Sequence, residues 1–176
     1  LGGNSPLIIL EDADLDLAVN LAAEGCFRNS GQRCTAVKRL LVHEQILEEF
    51  TTRFTEEAAK YNYGDPSDPE TRVGTVIDEE AAIYLENVVK DAVAAGARVL
   101  LGGERDGALL APTVIADVPR DADIVVKESF GPLAPIMSIS DIEDAIDLAN
   151  STAYGLSSGI VTNDMNRAIQ AVKGIQ

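Results

Sequence analysis

The run Leu7-Ile8-Ile9-Leu10 constrains the fold more than any other stretch of this sequence. Successive side chains of an extended segment point to opposite faces, so four consecutive aliphatic residues describe a strand buried on both faces. The next segment has a different period. Asp12 and Asp14 offer N-caps, and Leu15, Val19, Ala22, Ala23 and Phe27 recur at helical spacing. The polar loop Asn29 to Arg33 ends that helix, Cys34 comes after it, and Lys38 to Val42 reads as the next strand.

The alternation continues. Ile46, Leu47, Phe50 and Phe54 mark a second amphipathic helix closing near Lys60, and residues 63–69 are turn chemistry throughout. A third helix runs from Glu79 to Ala95 and stops at Gly96; Arg98 to Leu101 reads as a strand with Gly102-Gly103 as its turn. Pro112 to Ile115 and Leu133 to Ile139 read as extended, Asp141 to Asn150 as helical, Leu156 to Val161 as a strand, and Asp164 as the cap of a final helix. Strands alternating with helices predict an α/β fold with a mainly parallel sheet flanked by helices. The 176 residues, 46% hydrophobic, suit one domain, and with 5% aromatics and no Trp its core must be aliphatic.

A formal net charge of -15 argues against nucleic acid and anionic membranes as partners, and an anionic ligand would need a local basic residue. No apolar run reaches the roughly 18 residues of a membrane span, and no signal peptide is visible. Two cysteines are too few for a disulfide framework, which predicts a reducing compartment, the cytoplasm.

Those cysteines are the candidates for chemistry. Cys26 falls inside the first helix and reads as a small buried hydrophobe. Cys34 lies in Ser30-Gly31-Gln32-Arg33-Cys34-Thr35, where Gly31 permits close backbone approach and Arg33 places a cation next door, the setting in which a thiolate becomes a nucleophile. From the residues alone Cys34 is either reactive or inert. A cysteine hydrolase would want a histidine base, but the one histidine, His43, is nine positions away at the far end of a strand. No metal-ligand spacing and no Gly-rich phosphate loop is present, so no metal site is expected.

Four segments, taken in order, resemble the aldehyde dehydrogenase family across essentially the whole chain. Leu1-Gly2-Gly3-Asn4-Ser5-Pro6 with the strand and Asp12-Ala13-Asp14 resembles the segment that carries the family's general base. Gly31-Gln32-Arg33-Cys34-Thr35 is similar to the nucleophile motif, Glu128-Ser129-Phe130-Gly131-Pro132 to the nicotinamide-side loop, and Tyr154-Gly155-Leu156 to a later signature. The resemblance implies that Cys34 attacks an aldehyde, forming a thiohemiacetal that passes hydride to NAD or NADP, and that the resulting thioester is hydrolysed. It also implies that the Cys34 N–H helps bind the oxyanion, that Glu128 hydrogen-bonds the nicotinamide ribose and that Phe130 packs near the ring. In the family the general-base Glu immediately precedes Leu-Gly-Gly, and the cofactor-binding domain lies upstream. Residues 1–176 are therefore expected to be a catalytic, nucleophile-bearing domain fragment, truncated at both ends and inactive alone, from a parent that forms a homodimer or homotetramer.

Arg33 is the clue to substrate. An Arg directly before the nucleophile resembles members acting on phosphorylated or phosphonylated aldehydes, such as phosphonoacetaldehyde dehydrogenase, phosphonoformaldehyde dehydrogenase and non-phosphorylating glyceraldehyde-3-phosphate dehydrogenase. Guanidinium binds phosphoryl oxygens bidentately. Two alternatives stay open: a non-catalytic interaction or structural module with an inert thiol, and a thiol esterase that needs no cofactor.

Overall fold

The structure, a computed structural model, describes residues 2–176; Leu1, the first residue of the Leu1-Gly2-Gly3 motif, lies outside the described residues. Its centre is a six-stranded sheet. β1 (Ser5–Ile9) and β2 (Val37–His43) are joined by α1 (Leu15–Phe27), and α2 (Leu47–Ala58) and α3 (Glu79–Ala94) follow. Then come β3 (Arg98–Leu101), a small hairpin of β4 (Arg105–Asp106) and β5 (Leu109–Leu110), β6 (Thr113–Ala116) and the short α4 (Asp123–Val126). β7 (Leu133–Ile139), α5 (Ile142–Ala149), β8 (Gly159–Val161) and α6 (Met165–Gly174) complete the chain.

The sheet order is β3-β6-β7-β2-β1-β8, parallel except for edge strand β3, which runs antiparallel to β6. The aliphatic run at the start of the sequence is β1, an inner strand between β2 and β8. Leu7 and Ile9 point to one face, where α1 and α2 cover them. Ile8 and Leu10 point to the other, under α3, α5 and α6. Helices on both faces explain why no polar residue interrupts the run. The first face also holds the buried aromatic rings: Phe27, Phe50 and Phe54 are fully buried and stack at 6.0 and 5.6 Å.

Asp14, Asp78, Asp141 and Asp164 each cap the helix that comes after them, their carboxylates accepting from backbone N–H groups of the first turn. Asp65 and Asp68 do the same for the turns of residues 63–69. Two expectations need correction. The last strand starts at Gly159 rather than Leu156, because its pairing with β1 begins at Leu7 opposite Gly159. The one-turn α4 and the β4–β5 hairpin were not expected; segments of 4 and 2 residues are too short to show a period. No helix among the described residues is long and apolar enough to cross a membrane.

Candidate active site

Every segment singled out for chemistry ends where a strand begins. Gly2-Gly3-Asn4 leads into β1, Arg33-Cys34 into β2, Glu128 to Pro132 into β7, and Tyr154 to Ser158 into β8. These four strands are neighbours and run parallel. Their N-terminal ends therefore lie along one edge of the sheet, and four loops far apart in the chain gather there.

Cys34 is exposed on the turn before β2, whereas Cys26 is fully buried in α1. Burial pushes the Cys26 thiol up to about 12, partly opposed by the charges of Lys38 and Arg33, so it stays protonated. Iodoacetamide is therefore expected to modify Cys34 in the folded protein at least ~100-fold faster than Cys26, with both reacting after unfolding. Mass spectrometry of digested samples checks this, and equal labelling of the two in the folded state would refute the placement.

Gly3 joins Cys34 to the Glu128 loop. Its N–H donates to Glu128 Oε1 at 2.9 Å, and a Cβ on Gly3 would collide with the carbonyl oxygen of Cys34. Gly31 makes a similar contact one turn earlier: with φ of 67° it packs against the carbonyl of Gly131. The Tyr154 signature reaches the same loop, the Glu128 N–H donating to Tyr154 Oη at 3.3 Å. Asn4 Nδ2 donates to Val125 O at 2.7 Å and holds the end of α4 against the start of β1. Phe130, next to buried Ser129, leaves 44% of its surface open.

Arg33 does not stand free over Cys34. Its Nη2 donates to Glu24 O and Gly25 O at 3.2 and 3.1 Å, in the last turn of α1, where the helix dipole favours a cation. Its Nε is buried with no hydrogen-bond partner among the described residues. His43 is removed from the site as expected: it ends β2, seven residues and about 20 Å of extended chain beyond the turn, with Nε2 3.6 Å from Glu11.

Two buried cations in β2 were missed. Lys38 Nζ donates to Gly31 O at 2.5 Å and Gly131 O at 2.8 Å. Arg39 donates to Asn4 O, Leu148 O and Ala149 O at 2.7–2.9 Å, tying the segment before β1 to the end of α5. Burial lowers Lys38 to about 8 and Arg39 to about 10. The signal was available: two cations inside a strand read as interior contradict their usual exposure and demand buried partners.

The residues present fit one end of a nicotinamide dinucleotide. Glu128 presents a carboxylate held by the Gly3 N–H, buried Ser129 Oγ lacks a hydrogen-bond partner among the described residues, and the Phe130 ring of the same loop is partly open. Nothing among the described residues offers a Gly-rich phosphate cradle at a helix N-terminus, so the fit extends only to the nicotinamide riboside.

Fold and site together define an α/β domain with one accessible thiol among the loops at the N-terminal edge of its parallel strands. The chain belongs to the aldehyde dehydrogenase family, whose model matches residues 1–176. It is 40% identical to a lactaldehyde dehydrogenase of Methanococcus maripaludis, covering all of this chain and 38% of that protein. It is 39% identical to a sulfoacetaldehyde dehydrogenase of Neptuniibacter caesariensis, over 94% of this chain and 36% of the relative. Among solved structures, the glyceraldehyde-3-phosphate dehydrogenase of Methanocaldococcus jannaschii in complex with NADP superposes with a TM-score of 0.96 at 43% identity, over 99% of this chain and 38% of that one. The chain thus spans less than two fifths of the length of these relatives.

Proposed function

We propose that residues 1–176 are the nucleophile-bearing catalytic portion of an NAD(P)-dependent aldehyde dehydrogenase. The observation that carries this is Gly3, whose N–H holds Glu128 while its Cα packs on Cys34. An accessible thiol and a carboxylate suited to a ribose therefore belong to one site. The Cys34 thiolate adds to the aldehyde carbonyl carbon to give a thiohemiacetal. The Cys34 N–H, which donates to no acceptor among the described residues, is available to the oxyanion. A nicotinamide held by Glu128 and Phe130 would supply the acceptor for the hydride that leaves that carbon. What remains on Cys34 is a thioester; water cleaves it, releasing the carboxylate and restoring the thiolate. Glu128 orients the nicotinamide ribose and Phe130 screens the ring from water.

For the substrate we infer an anionic aldehyde, the phosphonylated or phosphorylated class among them. Support comes from the relatives named for sulfoacetaldehyde and glyceraldehyde 3-phosphate, and from Arg33, whose Nη1 makes no hydrogen bond among the described residues while Nη2 is held on α1. A guanidinium anchored at one nitrogen is pre-oriented for an anion at another. The test is NAD(P)H formation by the complete protein from phosphonoacetaldehyde, glyceraldehyde 3-phosphate and an uncharged aldehyde. Arg33→Ala is expected to raise KM for the two anionic aldehydes about 10-fold or more, the value of one charge-assisted hydrogen bond, and to leave the third little changed. An equal loss for all three would assign Arg33 to α1 alone.

A further inference from the structure

Lys38 is an anomaly. It is fully buried in an interior strand, it forms no ion pair among the described residues, and carbonyl oxygens are its only partners there. The charged and titratable groups around it are the Cys26 thiol, the Glu128 carboxylate and the Arg33 guanidinium. Burying an ammonium on such partners costs the fold stability, and burial accordingly lowers its proton affinity. The unfolded chain holds the proton more tightly, so between pH about 8 and the usual 10.5 it binds more protons than the folded one, and stability rises with pH across that window. At neutral pH the charge is therefore a burden that an unbranched apolar side chain would not impose.

The two carbonyls show what the charge accomplishes. Gly31 belongs to the turn that presents Cys34, and Gly131 ends the loop that carries Glu128 and Phe130; they lie 7 and 93 residues from Lys38. Gly31 already packs on the Gly131 carbonyl, and two carbonyl oxygens facing the same place repel each other unless a cation lies between them. We propose that Lys38 is a positioning residue for aldehyde oxidation, its ammonium tying the Cys34 turn to the Glu128 loop and so setting the separation between the thiohemiacetal on Cys34 and the nicotinamide. The inference rests on the function proposed above. It makes Lys38 matter for hydride transfer, which needs both loops, more than for the reactivity of the thiol, which needs one.

The test uses the complete protein with Lys38→Met, close in length and without a donor, and Lys38→Gln, which keeps N–H donors without the charge. Three quantities are measured: turnover, the rate of Cys34 alkylation by iodoacetamide, and the primary deuterium isotope effect at the aldehyde carbon. The ratio of turnover to alkylation is expected to fall about 30-fold in Lys38→Met, as for a sub-ångström misplacement of reacting groups, and less in Lys38→Gln. The isotope effect should rise as hydride transfer becomes limiting. If turnover and alkylation fall in parallel with a lowered Tm, or neither changes, the proposal is overturned. If the unmodified protein forms no NAD(P)H, or Cys34→Ser matches it, the functional reading fails first and takes this one with it.

Discussion

Cys34→Ser is expected to lower NAD(P)H formation by the complete protein at least ~10³-fold, as removal of a covalent nucleophile does elsewhere. A serine hydroxyl is far weaker as a nucleophile at neutral pH, and the one histidine, His43, is held beside Glu11 at the opposite end of β2. No histidine of this chain could therefore activate the hydroxyl. Stability should barely change, because the Cys34 side chain is exposed. The same variant separates the other two readings of the thiol. An inert module shows no aldehyde-dependent NAD(P)H formation before the substitution. A cofactor-independent esterase hydrolyses p-nitrophenyl acetate in the original protein and loses that activity in Cys34→Ser. Turnover retained in the serine variant would sink the covalent mechanism.

The second large effect is expected at Gly31. Gly31→Ala places a methyl group inside contact distance of the Gly131 carbonyl and 2.9 Å from Cys26 O, at a backbone φ of 67°. The left-handed conformation alone costs roughly 1 kcal/mol for alanine. The collision adds to it, since both neighbours are backbone atoms that cannot rotate aside, and a total of about 3 kcal/mol is expected. Activity should fall more steeply than stability, because any shift that relieves the collision separates the Cys34 turn from the Glu128 loop. Gly107→Ala is the control: φ is 56° there, but nothing lies within 4 Å of the added methyl. Denaturant unfolding of both variants measures the difference. A Gly31→Ala loss no greater than that of Gly107→Ala would show that Gly31 and Gly131 do not pack together.

Several features were legible in the residues because their causes are local. Leu7 to Leu10 declares a doubly covered strand by its unbroken apolarity, Asp14 and Asp141 declare helix starts by capping chemistry, and Gly96 declares a helix end by its positive φ. Cys34 stood out from Cys26 for the same kind of reason, one lying in a glycine-bearing loop and the other within a helical period. The matches of Gly2-Gly3, Cys34, Glu128 and Tyr154 to a family pattern were also visible one segment at a time.

What no segment contained was their meeting place. Parallel pairing of β7, β2, β1 and β8 brings the loops before those strands to one edge, and that depends on a strand order no local pattern encodes. The Gly3–Glu128 hydrogen bond spans 125 residues and the Lys38–Gly131 bond 93. Arg33 illustrates the limit from the other side: its neighbour in sequence is the thiol, but its guanidinium reaches the last-turn carbonyls of α1. Sequence by itself determined the longer helices and strands, their apolar faces and which of the two thiols lies in a loop, since propensity, periodicity and capping act over a few residues. Only the tertiary structure decided which loops share a site and where the buried cations point, because charges and carbonyls interact through space, wherever the chain has carried them.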